Sequence, residues 1–134
     1  MKKIIFVLFI CTMLLLSSCT NVVNGTGGKV TLSVYGYQET IIENYSADVE
    51  AGTTAFELFS DYMRENKIPY TVSGSGSTVY VKSVKATKEF DHGPESGWIY
   101  TVNGERLSQS CGAYQLNEND NIVFKYITEY EDNI

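Results

Sequence analysis

Only one stretch of the chain carries a helical period, and that narrows the possible fold more than any other feature. Within residues 54–66, Ala55, Leu58, Phe59, Tyr62 and Met63 fall at the spacing of one helix face. Thr54 with Glu57 three residues on is a capping-box pattern that starts a helix. Pro69 cannot continue it and disfavours helix at Ile68, so the helix is expected to end near Asn66. The aromatic side chains of this stripe read as core packing.

Everywhere else after residue 28 the pattern is that of strands. "KVTLSVYGY" sets Val30, Leu32 and Val34 against Thr31, Ser33 and Tyr35, the two-residue period of a half-buried strand. "TIIENYSADVE" is a more weakly patterned partner, joined to it through a turn near Gly36 to Glu39. Beyond the helix come "YTVSG", "TVYVKSV", "GWIYTVNG" and "NIVFKYITEY", separated by the turn signals "SGSGS", Asn103-Gly104 and "NEND". Two strands, a helix, then four or five strands predict an α+β domain, one helix packed across a mixed or antiparallel sheet in two layers.

The N-terminus predicts export. Lys2 and Lys3 precede a run from Ile4 to Leu16 that is apolar except for Thr12, and Ser17, Ser18 and Cys19 follow. That run is too short for a membrane span, which needs roughly 20 apolar residues, and has the layout of a secretory signal. Its ending, "LSSC", resembles the lipobox of bacterial lipoproteins, which implies that residues 1–18 are removed and that Cys19 becomes the lipidated first residue. Two acyl chains suffice for stable anchoring. Residues 19–28 then read as lipidated cysteine and flexible glycine-rich tether, and residues 29–134 as one domain. The expected location is the extracytoplasmic face of a bacterial membrane.

Losing the two lysines takes the formal charge from −6 to −8, so nucleic acid and anionic headgroups are not expected partners. Cys11 lies in the signal and Cys19 in the lipobox, which leaves Cys111 without a partner and excludes a disulfide scaffold or cysteine zinc site. Cys111 itself reads as a small packed side chain.

No catalytic set emerges. His92 is the only histidine and no nucleophile elbow accompanies it, since "GSGS" sits between strands. Asp91, His92, Glu95 and "NENDN" offer oxygen ligands without EF-hand spacing, so neither a metal site nor a cofactor is expected. What the chain has in surplus is aromatic residues. In "GWIYTVNG", Trp98, Tyr100 and Val102 share one face and Ile99 and Thr101 the other. Either the tryptophan face packs on the helix, or it lies open to stack on a flat ligand or a partner protein.

The order of the later pieces resembles the transcobalamin-like C-terminal domain, the small domain that closes over cobalamin in the animal vitamin B12 carriers. The likeness runs through "AGTTAFELF", Tyr80-Val81-Lys82-Ser83-Val84, Trp98-Ile99-Tyr100-Thr101-Val102-Asn103-Gly104, Gly112-Ala113-Tyr114 and Asp120-Asn121-Ile122-Val123-Phe124-Lys125-Tyr126. It implies a β-grasp-like or small sandwich fold, no catalysis, and a ligand face built from hairpin loops. Residue by residue it places corrin contacts on Gly74, Ser75, Gly76, Ser77 and Thr78, and on Trp98 and Tyr100. The carriers trap cobalamin against a large helical domain that this chain has no room for, so half the ligand would be left to a partner.

Two functions follow as expectations. One is a lipid-anchored binding module that captures a corrinoid-like small molecule, cobalamin being the candidate, or hands it to a membrane transporter. The other is a surface adhesion or assembly module that binds protein or polysaccharide through exposed aromatic strands.

Overall fold

The structure, a computed structural model, describes residues 22–130. The signal segment and Cys19 lie outside the described residues. Among the described residues no helix is long and apolar enough to cross a membrane.

Strand β1 (Gly28–Gly36) turns back through Tyr37 and Gln38 into β2 (Glu39–Val49), and Gln38 adopts φ 58°. Helix α1 (Ala55–Glu65) follows, as its pattern predicts. Thr54 is the N-cap: its hydroxyl accepts from the Glu57 N–H at 3.2 Å, and the Glu57 carboxylate accepts from the Thr54 N–H at 2.7 Å. Asn66 caps the other end, Lys67 takes a left-handed φ of 55°, and the Ile68 N–H closes on the Met63 carbonyl at 2.8 Å before Pro69.

The remaining strands are β3 (Tyr70–Ser73), β4 (Tyr80–Val84), β5 (Thr87–Lys88), β6 (Gly97–Val102), β7 (Glu105–Arg106) and β8 (Asn121–Ile127). They form two sheets. One is five-stranded, in the order β2-β1-β8-β6-β7, and the other is three-stranded, in the order β3-β4-β5. The large sheet is mixed, because first strand β1 and last strand β8 pair in parallel, Leu32 beside Ile122 and Val34 beside Phe124. All its other ladders are antiparallel. Nothing local in the sequence marks that parallel pair; it forms because both strands bury the same alternating face.

Register puts Leu32, Val34, Ile122, Phe124, Tyr126, Trp98, Tyr100 and Val102 on that face. Against it α1 lays Ala55, Leu58, Phe59 and Met63, with the Phe59 and Phe124 rings 4.4 Å apart. Tyr62, on the flank of the same stripe, is only half-buried and meets Tyr45 edge-on at 4.6 Å. The small sheet covers the rest of the face: Val81 and Val84 are buried there, and the Tyr126 hydroxyl donates to the Lys88 carbonyl at 2.9 Å.

The segment expected to be a flexible tether is docked from Val22 onward, where the Gln115 side-chain amide donates to the Val22 carbonyl at 3.3 Å. The side-chain oxygen of Gln115 accepts from the N–H groups of Asn24 and Gly25, at 2.6 and 3.0 Å, and the Gly27 N–H donates to the Leu116 carbonyl at 3.0 Å. Gly25 and Gly27 are buried. A Cβ on Gly25 would lie 2.6 Å from the Leu116 oxygen, so the glycines read as flexibility serve close backbone packing instead.

Candidate functional site

The question left by the tryptophan strand is settled by Trp98 itself, which is 2% exposed. Its indole N–H donates to the Thr87 carbonyl at 3.1 Å, and its ring meets Tyr126 at 5.5 Å. The Trp98, Tyr100 and Val102 face is therefore the core face, and Trp98 is no open platform for a ligand. Tyr100, one period along, is half-buried: its ring stacks on Phe124 at 5.8 Å and its hydroxyl donates to the Gln109 carbonyl at 2.7 Å.

Beside these two side chains lies a cleft of about 310 Å³ between β4 and β6. Val79, Val81 and Phe124 give it an apolar lining, and Thr78, Ser108, Gln109 and Ser110 a polar one. Such a mixture of apolar walls with a few polar groups suits a small ligand. A wider depression of about 510 Å³ around Glu50, Glu57 and Asp61 is lined mostly by polar and charged groups.

Of the residues the sequence points to, Thr78, Trp98 and Tyr100 come together at this cleft. Gly74, Ser75, Gly76 and Ser77 do not line it. They form the turn above, where Gly76–Thr78 make a short 3-10 helix and the Thr78 hydroxyl donates to the Ser75 carbonyl at 2.9 Å. That turn is pinned from below by Gly112, where any Cβ would overlap the Gly76 carbonyl oxygen and come within 2.5 Å of a Val79 methyl.

Cys111 belongs to the cleft wall, which sequence reading did not suggest. Its thiol points at the Val79 carbonyl, 3.6 Å away, and the Ser110 hydroxyl donates to the same oxygen at 2.6 Å. Burial pushes the thiol up to about 11, so it stays protonated and weakly nucleophilic at neutral pH. Tyr100 is pushed up to about 12, first by burial and then by Cys111 and Tyr114, and is a neutral donor. Tyr80, also raised by burial and then by Glu89, sets its hydroxyl at the Gly97 end of the cleft. Val79, Val81 and Leu107 were also missed, because only the packing of β4 beside β6 assembles them.

The other candidate groups are structural. The His92 ring is stacked on Tyr37 at 3.6 Å, and among the described residues no hydrogen bond joins it to a hydroxyl or thiol. Asp91 accepts from the Lys88 N–H at 2.8 Å, a turn contact. Asp120 of the "NEND" turn is buried and accepts from Tyr114, Asn103 and the Asn117 N–H at 2.8 to 2.9 Å. Among the described residues no three His, Cys, Asp or Glu side chains cluster as a metal site.

A family profile described as a domain of unknown function, DUF4430, matches residues 52–128. Haptocorrin, solved in complex with Cbi, shares the fold with a TM-score of 0.66 at 19% identity, over 86% of this chain and 28% of haptocorrin's. A proposed metal-binding protein from Ruminococcus gnavus ATCC 29149 shares it with a TM-score of 0.57 at 17% identity, over 77% of this chain and 99% of that one. No curated protein sequence matches the chain. At these identities the likeness is one of fold, and the fold is transcobalamin-like.

Proposed function

Since the chain belongs to the DUF4430 family, whose domain has no assigned function, we propose that it is a lipid-anchored binding module whose cleft takes a corrinoid-like small molecule. The observation that carries this reading is the convergence of Thr78, Trp98 and Tyr100 on one apolar-walled cleft, in a fold shared with haptocorrin. Tyr100 and the wall valines offer apolar cover to a flat ligand's rim, while Thr78, Ser110 and the backbone offer hydrogen bonds to its amides. Trp98 acts from behind, holding the floor. The turn at Gly74, Ser75, Gly76 and Ser77 contributes by fixing where Thr78 stands. A β-grasp relationship belongs to the same reading, supported by the parallel β1–β8 pair beneath a single helix.

The chain spans 28% of haptocorrin's length, and on this reading the cleft would be one side of a ligand site. Pockets that hold small molecules tightly bury about 70–90% of the ligand, and one wall cannot do so. Weak binding suits a module that hands its ligand to a membrane transporter, which would supply the second wall. Lipid on Cys19, with residues from Val22 docked on the domain, would leave only a short spacer between the anchor and the domain. The module would then sit close to the bilayer that holds the transporter.

Calorimetry of residues 20–134 with cobalamin and with cobinamide tests the ligand. Heat of binding that is lost in Tyr100→Ala supports the proposal, and no binding of either at millimolar concentration overturns it. Metabolic labelling with radioactive palmitate tests the anchor, with incorporation expected in the wild-type chain and none in Cys19→Ser.

A further inference from the structure

Strand β2 ends the large sheet on one side: β1 pairs with it, and among the described residues no strand lies beyond it. Backbone alternation fixes which of its groups face outward. The Thr31 N–H donates to the Asp120 carbonyl at 2.9 Å and the Asn119 N–H to the Lys29 carbonyl at 2.7 Å. Lys29 and Thr31 thus turn their backbone groups toward β8, and Gly28, Val30 and Leu32 turn theirs toward β2, where they stand opposite Val49, Ala47 and Tyr45. The intervening residues, Ser46 and Asp48, therefore aim their N–H and C=O groups at the open edge, and among the described residues no hydrogen bond meets them there. Residues 45–49 run in unbroken register with β1, since the register shifts lie beyond Leu32.

Beside this edge, on the face that α1 covers, lies a groove of about 310 Å³. Tyr45, Ala47 and Val49 of β2 and Leu58 and Tyr62 of α1 give it an apolar and aromatic floor, in which the two tyrosine rings meet edge-on. Asp48, Glu50, Asp61 and Glu65 also line it, and no lysine or arginine does. Arg64 pairs with Asp61, while neither Glu50 nor Glu65 joins an ion pair among the described residues. Proteins guard open strand edges with charge, and these carboxylates keep a second copy of this chain away, because self-pairing brings like charges together. The same carboxylates attract a strand of opposite sign.

We propose that residues 45–49 are a strand-addition site for an extended basic peptide, bound antiparallel to β2. Its backbone bonds to Ser46 and Asp48 would give the affinity. Alternate side chains, lysine or arginine, would lay their methylene stems over Tyr45 and Tyr62 and bring their cations to Glu50, Asp61 and Glu65. Charge then selects the partner, and the edge sets its register. The groove shares no lining residue with the cleft between β4 and β6, so this inference is independent of the corrinoid reading.

The probe is the capped peptide Lys-Thr-Lys-Thr-Lys, in four forms: unmodified, N-methylated at both threonines, N-methylated at the first and third lysines, and with glutamate in place of every lysine. Titration into the isotope-labelled protein, followed by amide NMR, is expected to shift the Ser46 and Asp48 amides and slow their exchange. In antiparallel register the threonine N–H groups meet Ser46 and Asp48 while the lysine N–H groups face solvent. Methylating the threonines therefore weakens binding about tenfold or more, whereas methylating the lysines changes it little, and the glutamate form does not bind. Equal binding of the two methylated forms, binding of the glutamate form as tight as that of the lysine form, shifts confined to another surface, or no shift at millimolar peptide overturns the proposal. None of these outcomes bears on cobinamide binding, which its own calorimetry decides.

Discussion

Gly112 lies directly beneath the carbonyl of Gly76, with no room between them for a side chain. The contact joins the loop after β7 to the turn before β4, and so sets the spacing of the two cleft walls. Gly112→Ala forces the 76–78 turn to move and is expected to cost about 1–3 kcal/mol. Urea unfolding measures that loss, and amide shifts at Thr78 and Tyr100 report the widened cleft. An unchanged midpoint with unchanged shifts would show that the turn yields freely.

Trp98 is expected to behave as a core residue. Trp98→Ala should lose about 3–5 kcal/mol, while Trp98→Phe keeps most of the packing and loses about 1–2 kcal/mol with the bond to Thr87. Its fluorescence in the native protein should be blue-shifted and insensitive to iodide. Iodide quenching as strong as that of free tryptophan would contradict the burial.

Cys111 makes stability depend on pH in the alkaline range. An unfolded thiol ionises near 9.0 and the folded one near about 11. Between these values the unfolded chain has released a proton that the native state retains, so raising the pH favours unfolding. The stability present below pH 9 therefore falls by about 2–3 kcal/mol as pH approaches 11. Cys111→Ser removes this component, and denaturation midpoints at pH 7, 9 and 11 should show a shallower fall for the variant. Identical slopes would mean that the thiol does not titrate in the native state as described.

Gly25→Ala tests the docked N-terminal segment. The added methyl meets the Leu116 carbonyl at 2.6 Å and should release residues 22–27 from the Gln115 side chain. Hydrogen exchange is expected to lose protection at Gly25 and Gly27, while the amides of β6 and β8 remain slow. Retained protection at Gly27 would show that the segment docks by other means.

The helix, its Thr54–Glu57 box, its end at Asn66 and the Asn103-Gly104 hairpin were all legible in the chain, because each depends on residues a few positions apart. Asn103 and Gly104 take φ of 53° and 84°, values that asparagine and glycine tolerate and most residues avoid. Alternation likewise put Trp98, Tyr100 and Val102 on one face. It could not say which face was buried, since a strand's two sides become inequivalent only when something packs on one of them. That was decided by α1 and by β5, whose Thr87 receives the indole N–H. The parallel pairing of β1 with β8, the docking of Gly25 on Leu116 and the cleft between β4 and β6 are likewise tertiary. Each joins segments far apart in the chain whose local patterns are satisfied equally well apart, so their meeting follows only from burying one shared apolar face.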